Sequence, residues 1–217
     1  MRLIPILVLS VLSNYAIAQK TFLDPGFGDG GIVKTYTGGH TDNGGVFSLG
    51  IQSDQRIIAS GFASGQGVVI RYNQNGTIDS SFAINGIFAS STLWGAAMKV
   101  LPNDKILVTG ALTTFRLNSN GTLDNTFGVG GVYTADIDIQ SKAMALQTDG
   151  KIVIAGVVAG VRSGVIKLLP DGAVDSSFGT YGLVTNNWPL DTHGVAVLSD
   201  GRIVTCGLSY PNFFMAV

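Results

Sequence analysis

Leu123-Asp124-Asn125-Thr126-Phe127-Gly128-Val129-Gly130-Gly131 is the stretch that decides the fold, because the chain repeats it. It occurs earlier as Leu23-Asp24-Pro25-Gly26-Phe27-Gly28-Asp29-Gly30-Gly31 and as Ile78-Asp79-Ser80-Ser81-Phe82-Ala83-Ile84-Asn85-Gly86. It returns as Val174-Asp175-Ser176-Ser177-Phe178-Gly179-Thr180-Tyr181-Gly182. The aspartates fall 55, 45 and 51 residues apart. A period of roughly 50 residues, with glycine-rich turns and no helical pattern, marks an array of β-repeats such as a propeller. The expected fold is all-β: a propeller-like array of about four four-stranded antiparallel blades.

Upstream of the last three copies, and again near the C-terminal end, lies a hairpin. Within residues 143–156 two β-prone runs flank Asp149-Gly150. The pair predicts a two-residue turn with both central residues at positive φ. Asp54-Gln55, Asn103-Asp104 and Asp200-Gly201 stand at the same place, and Arg56, Lys105, Lys151 and Arg202 follow the four turns. In the first strand of each hairpin Leu49/Ile51, Met98/Val100, Met144/Leu146 and Val195/Val197 alternate with the small Ser48, Ala97, Ala143 and Gly194. Period-2 alternation puts the large residues between sheets and the small ones on the other face, and propeller architecture makes this strand the innermost. The second strand, Ile57-Ile58-Ala59-Ser60-Gly61 and its copies, is nearly continuously apolar, as a strand buried on both faces should be. A third (68–72, 113–117, 165–168) runs into a turn at Asn75-Gly76, Asn120-Gly121 or Asp171-Gly172, and the Asp/Phe/Gly segment then leads into an outer strand. The repeats cover about residues 45–88, 95–133, 142–184 and 193–217, with 22–36 adding one more outer strand.

Thirty glycines and only 12% charged residues suit short strands joined by tight turns. A formal net charge of −1 creates no single-sign field for polyphosphate, so no nucleic-acid partner is expected. Residues 1–18 read as a secretory signal peptide: Arg2, an apolar run from Leu3 to Leu12, and Ala16-Ile17-Ala18 before a cleavage point at Gln19. That run is too short to span a bilayer, and no later one reaches the roughly 18 residues of a transmembrane helix. Residues 19–217 are then a single repeat domain, secreted or held at the cell surface or in the periplasm. Cys206, alone in the chain, allows no internal disulfide. It shares the register of Ser60, Thr109 and Ala155, so a buried, inert thiol is expected.

In wording these units resemble the delta-60 repeat family, whose members carry tandem copies of L-D-x-x-F-G-x-x-G, D-G-K-[IV]-[VIL]-x-x-G and R-[YL]-x-x-[ND]-G-[ST]-[LI]-D. The resemblance spans residues 22–217 and departs from the pattern at Ala83, at Ile84-Asn85 and where Asn103-Asp104 replaces Asp-Gly. It implies a β-propeller-type fold in secreted or surface-exposed bacterial proteins of undefined activity. In the last unit, Val217 is expected in the register of Ile70, Phe115 and Ile166. Two arrangements follow. Either the N-terminal outer strand pairs with the C-terminal blade and closes the ring, or the chain is a fragment of a larger propeller.

Candidate chemistry is sparse. Asp24, Asp79, Asp124 and Asp175 form an acidic column, but a calcium site gathers six to eight oxygens at one point, whereas these belong to blades about 10 Å apart. Each is expected to cap its own turn through an Asx hydrogen bond. Arg71, Arg116 and Lys167 are expected either to pair with them locally or to pack their stems along a blade edge. Gly28-Asp29-Gly30-Gly31 and Gly128-Val129-Gly130-Gly131 precede strands, so no helix N-terminus is present to hold phosphate. His40 and His193 are the two imidazoles, and His193, just ahead of Gly194, is placed at a channel mouth. No metal-ligand spacing or strained serine elbow accompanies them, so no catalytic residue, metal or cofactor is expected. Because repeated positions are accounted for by turns and core, function is assigned to what differs between repeats. Trp94, Trp188 and His193 are the candidate ligand-binding residues, aromatic side chains on a propeller rim being suited to a sugar face or a protein contact. The expected function is a secreted, non-catalytic binding or scaffold module for a glycan or protein. The alternatives are a segment of an adhesin-like surface array, and a propeller-type hydrolase or lyase using His193, Asp191, Asp136 and Asp138.

Overall fold

The computed structural model describes residues 23–36, 44–160, 162–186, 191–209 and 212–216. Four antiparallel sheets succeed one another along the chain. The first holds β1 (Gly45–Ile51), β2 (Ile57–Ala63), β3 (Gln66–Tyr72) and β4 (Ile87–Ser90), and the second β5 (Ala97–Val100), β6 (Ile106–Gly110), β7 (Thr113–Leu117) and β8 (Val132–Thr134). The third holds β9 (Ile139–Leu146), β10 (Ile152–Val158), β11 (Arg162–Leu168) and β12 (Leu183–Thr185), and the fourth β13 (Asp191–Val197), β14 (Ile203–Ser209) and β15 (Asn212–Ala216). Spatial order within each sheet follows chain order, so every blade is a meander folded from one contiguous stretch. The molecule is an all-β, propeller-like array.

The blades stack through their first strands: β1 packs on β5, β5 on β9 and β9 on β13. The alternation read from the sequence explains why. Met98 and Met144, each 4% exposed, turn into the cores between sheets, while the interleaved small residues let neighbouring strands approach. Ile58, Val69 and Phe82 of the first blade meet Ile106, Val108 and Phe115 of the second. Leu107 and Phe127 then meet Ile152, Ile154 and Ile166 of the third, and Val153, Ala155 and Val165 meet Val195 and Ile203 of the fourth. One face of each blade thus looks forward along the array and the other looks back. Burying a side chain such as Phe82 or Phe127 at a joint contributes about 1.5–3 kcal/mol.

The hairpin turns differ from the expected two-residue form. Only the second residue of each pair takes positive φ: Gln55 at 68°, Asp104 at 61°, Gly150 at 82° and Gly201 at 87°. Gln55 N–H donates to Gln52 O, and Gln52 N–H to Arg56 O, the pattern of a type I turn closed by a left-handed residue. The first residue of the pair has a different task, its side-chain oxygen accepting the N–H two residues on: Asp54 from Arg56, Asn103 from Lys105, Asp149 from Lys151 and Asp200 from Arg202. The sequence departure at Asp104 leaves the turn intact. Its carboxylate instead accepts the N–H and hydroxyl of Ser53 on the neighbouring blade, bonds that lower its pKa.

Three further expectations are corrected. Ring closure through the N-terminal strand is not formed among the described residues: the fourth sheet has three strands, and residues 33–36 adopt no strand. The N-terminal segment is held by the first blade, Gly28 N–H donating to Asn75 O at 2.8 Å, with the Thr35 and Tyr72 hydroxyls 2.7 Å apart. The register of the last strand is shifted by one from the sequence reading. Thr205 pairs with Ala216 as Ala59 pairs with Ile70, so Ala216, not Val217, takes that place. Cys206, expected to be buried, is exposed, because among the described residues no blade packs on the face it occupies.

Candidate functional site

The acidic column is structural in its geometry. Asp79 Oδ1 accepts the N–H and hydroxyl of Ser81 at 3.0 and 2.7 Å, and Asp124 and Asp175 do the same with Thr126 and Ser177. Asp24 accepts the N–H of Gly26. The other carboxylate oxygen holds cations: Asp79 takes Arg71 at 2.7 Å and Arg56 at 3.1 Å, Asp124 takes Arg116 and Lys105, and Asp175 takes Lys151. The residue after each of the first three hairpin turns, legible in the sequence only as a recurring positive charge, is therefore a partner of the Asp column, whereas Arg202 after the fourth pairs with Asp200 of its own turn. The third-strand cations also lie over the repeated phenylalanines: Arg71 over Phe82, Arg116 over Phe127 and Lys167 over Phe178, at 4.9, 4.8 and 4.3 Å. Asp79, Asp124 and Asp175 thus spend both carboxylate oxygens on their own blade, while Arg71 and Arg116 also donate across the joint to the Ser119 and Pro170 carbonyls.

These contacts fix a pH dependence. Burial pushes the Asp79 and Asp124 carboxyls up, but the Ser81 and Thr126 hydrogen bonds and the adjacent cations outweigh it and hold both below the usual value. The Ser177 hydroxyl and Lys151 bring Asp175 from 3.8 to about 2. A carboxyl depressed in the folded state stabilises it fully above its unfolded pKa, and that stabilisation disappears as pH falls through the folded value. The melting temperature is therefore expected to fall between about pH 4 and pH 2 with these carboxylates. Calorimetric scans across this range check it; a slope unchanged in Asp175→Asn would show that the column is not responsible.

A different column builds a cavity. Phe47, Lys142 and His193 are each skipped by the ladder of an innermost strand: pairing passes from Val46 to Ser48, from Ser141 to Ala143 and from Thr192 to Gly194. Each is the extra residue of a β-bulge, a device that re-aims a side chain. Ala96, immediately before β5, holds the same register in the second blade, since Ala97 pairs with Thr109 as Ser48 pairs with Ser60. All four residues line one cavity of about 600 Å³ at the end of the array where the innermost strands begin. One repeat position thus supplies an aromatic ring, a methyl, an ammonium and an imidazole to a single place.

Trp94 and Leu112 add apolar surface to this cavity, and Asp138 and Gln140 add polar groups. Trp94 is stacked on Phe62 of the preceding blade, ring centroids 5.0 Å apart and planes 15° from parallel, yet remains 54% exposed. The structure therefore brings together Trp94 and His193 of the sequence candidates. Trp188 and His40 lie outside the described residues. Phe47 and Lys142 were missed, although a signal was present: the rule that singled out His193, a residue just ahead of the small inner-strand position, also selects Phe47 before Ser48 and Lys142 before Ala143. Chemically the site offers aromatic faces with a few polar groups around them, the composition of a small-molecule or glycan cleft. Among the described residues no group of three His, Cys, Asp or Glu side chains is placed to hold a metal ion, and no helix is long and apolar enough to cross a membrane.

Comparison with known proteins agrees with the fold. A family described as "Domain of unknown function (DUF5122) beta-propeller" matches residues 52–82, 101–127 and 147–178, one segment in each of the first three blades. No curated protein matches the chain. Among solved structures, a protein of unknown function from Bacteroides caccae superposes with a TM-score of 0.50 at 14% identity, over 80% of this chain and 57% of its own. A catalytically inactive virginiamycin B lyase from Staphylococcus aureus, solved with quinupristin, gives 0.49 at 11% identity, over 81% and 56%. The chain thus spans less than three fifths of either structure's length. Over those three segments the chain is thus similar to β-propeller repeats of a domain of unknown function.

Proposed function

We propose that this is an exported, non-catalytic binding module of the delta-60 repeat type whose ligand, a glycan, seats at the channel mouth on Phe47 and Trp94. The observation that carries the reading is the bulge column: four blades devote one register position to the same cavity and fill it with four different side chains. Repetition elsewhere serves turns and core, so this divergence is where selection for a ligand has room to act. A sugar ring presents an apolar face for the aromatics and hydroxyls for Asp138, Gln140 and Lys142. Export to the cell exterior or periplasm rests on the leader-like residues 1–18, which lie outside the described residues. Screening the exported protein on a glycan array and titrating the best ligand tests the proposal. Trp94→Ala is expected to weaken binding roughly tenfold or more, about 1.4 kcal/mol, with the β-sheet circular dichroism unchanged. Equal binding by the wild type and the variant, or turnover of a substrate lost in His193→Ala, would overturn it.

A further inference from the structure

The two end faces of the array are the two halves of a joint that the molecule already makes three times. Leu49 and Ile51 hold the register of Met98/Val100 and Met144/Leu146, yet they are 67% and 61% exposed where the two methionines are sealed. Behind them Ala59, Val68, Ile70 and Tyr72 form an apolar cluster that lines a cavity of about 520 Å³, with Val33 and Thr35 also on its wall. At the opposite end Met215, in the register of the fully buried Val69, is 74% exposed, and Cys206, in the register of the buried Ser60, is exposed as well. A backward face and a forward face both stand open.

The cavity is prepared for a sheet. Gly28 N–H donates to Asn75 O just as Ala83 N–H donates to Asn120 O and Gly128 N–H to Asp171 O, so residues 23–36 already sit where the tail of a preceding blade belongs. Counted from Gly31, which matches Gly86, residues 32–35 hold the register of β4, the strand that pairs with β3. Among the described residues the fourth sheet, for its part, holds three strands and the β15 edge is unpaired. We propose that the fourth blade of one copy of the chain packs head to tail onto the first blade of a second copy. The forward face of its three strands packs over the cavity, Met215 comes to lie opposite Val33, and residues 32–35 of the second copy complete a composite four-stranded blade. Forward face meets backward face, as at every internal joint. Such a contact is heterologous, so each copy keeps one unused half.

Sedimentation of the exported protein tests this independently of what the channel mouth binds. The wild type is expected at twice the mass of one chain or more. The double variant Leu49→Lys/Ile51→Lys and the single variant Met215→Lys, all at exposed positions, are each expected at the mass of one chain with wild-type circular dichroism. Mixing the two variants pairs an intact fourth blade with an intact first blade and is expected to restore a two-chain species. A wild type at single-chain mass, whether through ring closure on itself or with both faces bare, would overturn the proposal. So would oligomers that persist in both variants, or a mixture that stays at the mass of one chain.

Discussion

Asp79→Ala is expected to destabilise the protein by about 3–5 kcal/mol, the cost of breaking a buried ion pair from one side. Arg71 is 5% exposed, so removing the carboxylate leaves its charge buried without a counter-ion. It keeps hydrogen bonds to the Ser119 carbonyl, Gln52 Oε1 and the Ser81 hydroxyl, which places the loss toward the lower end of that range. The turn suffers too, because Ser81 N–H and hydroxyl lose their acceptor. Urea unfolding measures the effect. Asp79→Leu combined with Arg71→Met, which removes both charges, should be closer to wild type than Asp79→Ala alone. A double variant no better than the single one would mean that the pair contributes through geometry and not through charge.

Phe127→Ala is expected to cost a similar amount, about 3–5 kcal/mol, by opening a cavity in the second joint. The ring is fully buried, packs with Leu107, Ile152 and Ile166, and carries the Arg116 guanidinium on its face. It also backs the next turn so closely that a Cβ placed on Gly172 would lie 2.8 Å from it. Relaxation into the void is therefore restricted. Val129→Ala, two residues away and 88% exposed, is the control and should stay within about 0.5 kcal/mol. Equal midpoints for the two variants would remove Phe127 from the core.

The parts of the structure that a line of sequence revealed are those whose causes are local. Asp149-Gly150 and its copies announce a turn because the hydrogen bond and the left-handed residue that make it lie within five residues. The Asp column announces its caps for the same reason. The turn type was misread because Asp before Gly suggested two positive φ values, whereas Asp54 and Asp149 use their side chains to hold the chain after the turn. What lay beyond the sequence was everything decided by which faces meet. Cys206 matches Ala155 in register, but one has a blade against it and the other does not. The cavity is half legible: chemistry marks Trp94 and His193, and the place just ahead of the small inner-strand residue marks 47, 96, 142 and 193 as one repeat position, but their meeting at one point is not written in linear order. Only the shared bulge and the stacking of innermost strands do that.

The bonds from Gly28 to Asn75, Ala83 to Asn120 and Gly128 to Asp171 have a consequence for how such an array changes over generations. Each Asp/Phe/Gly segment donates to the blade after it, and each third-strand turn accepts from the blade before it, so a stretch of gene one period long encodes both sides of a joint. Unequal recombination that copies or drops such a stretch, wherever within the period it begins, leaves every remaining donor with an acceptor and every bulge in line with its neighbours. The array can therefore lengthen or shorten by whole blades in a single event, and each added blade brings one new side chain to the channel mouth, free to diverge.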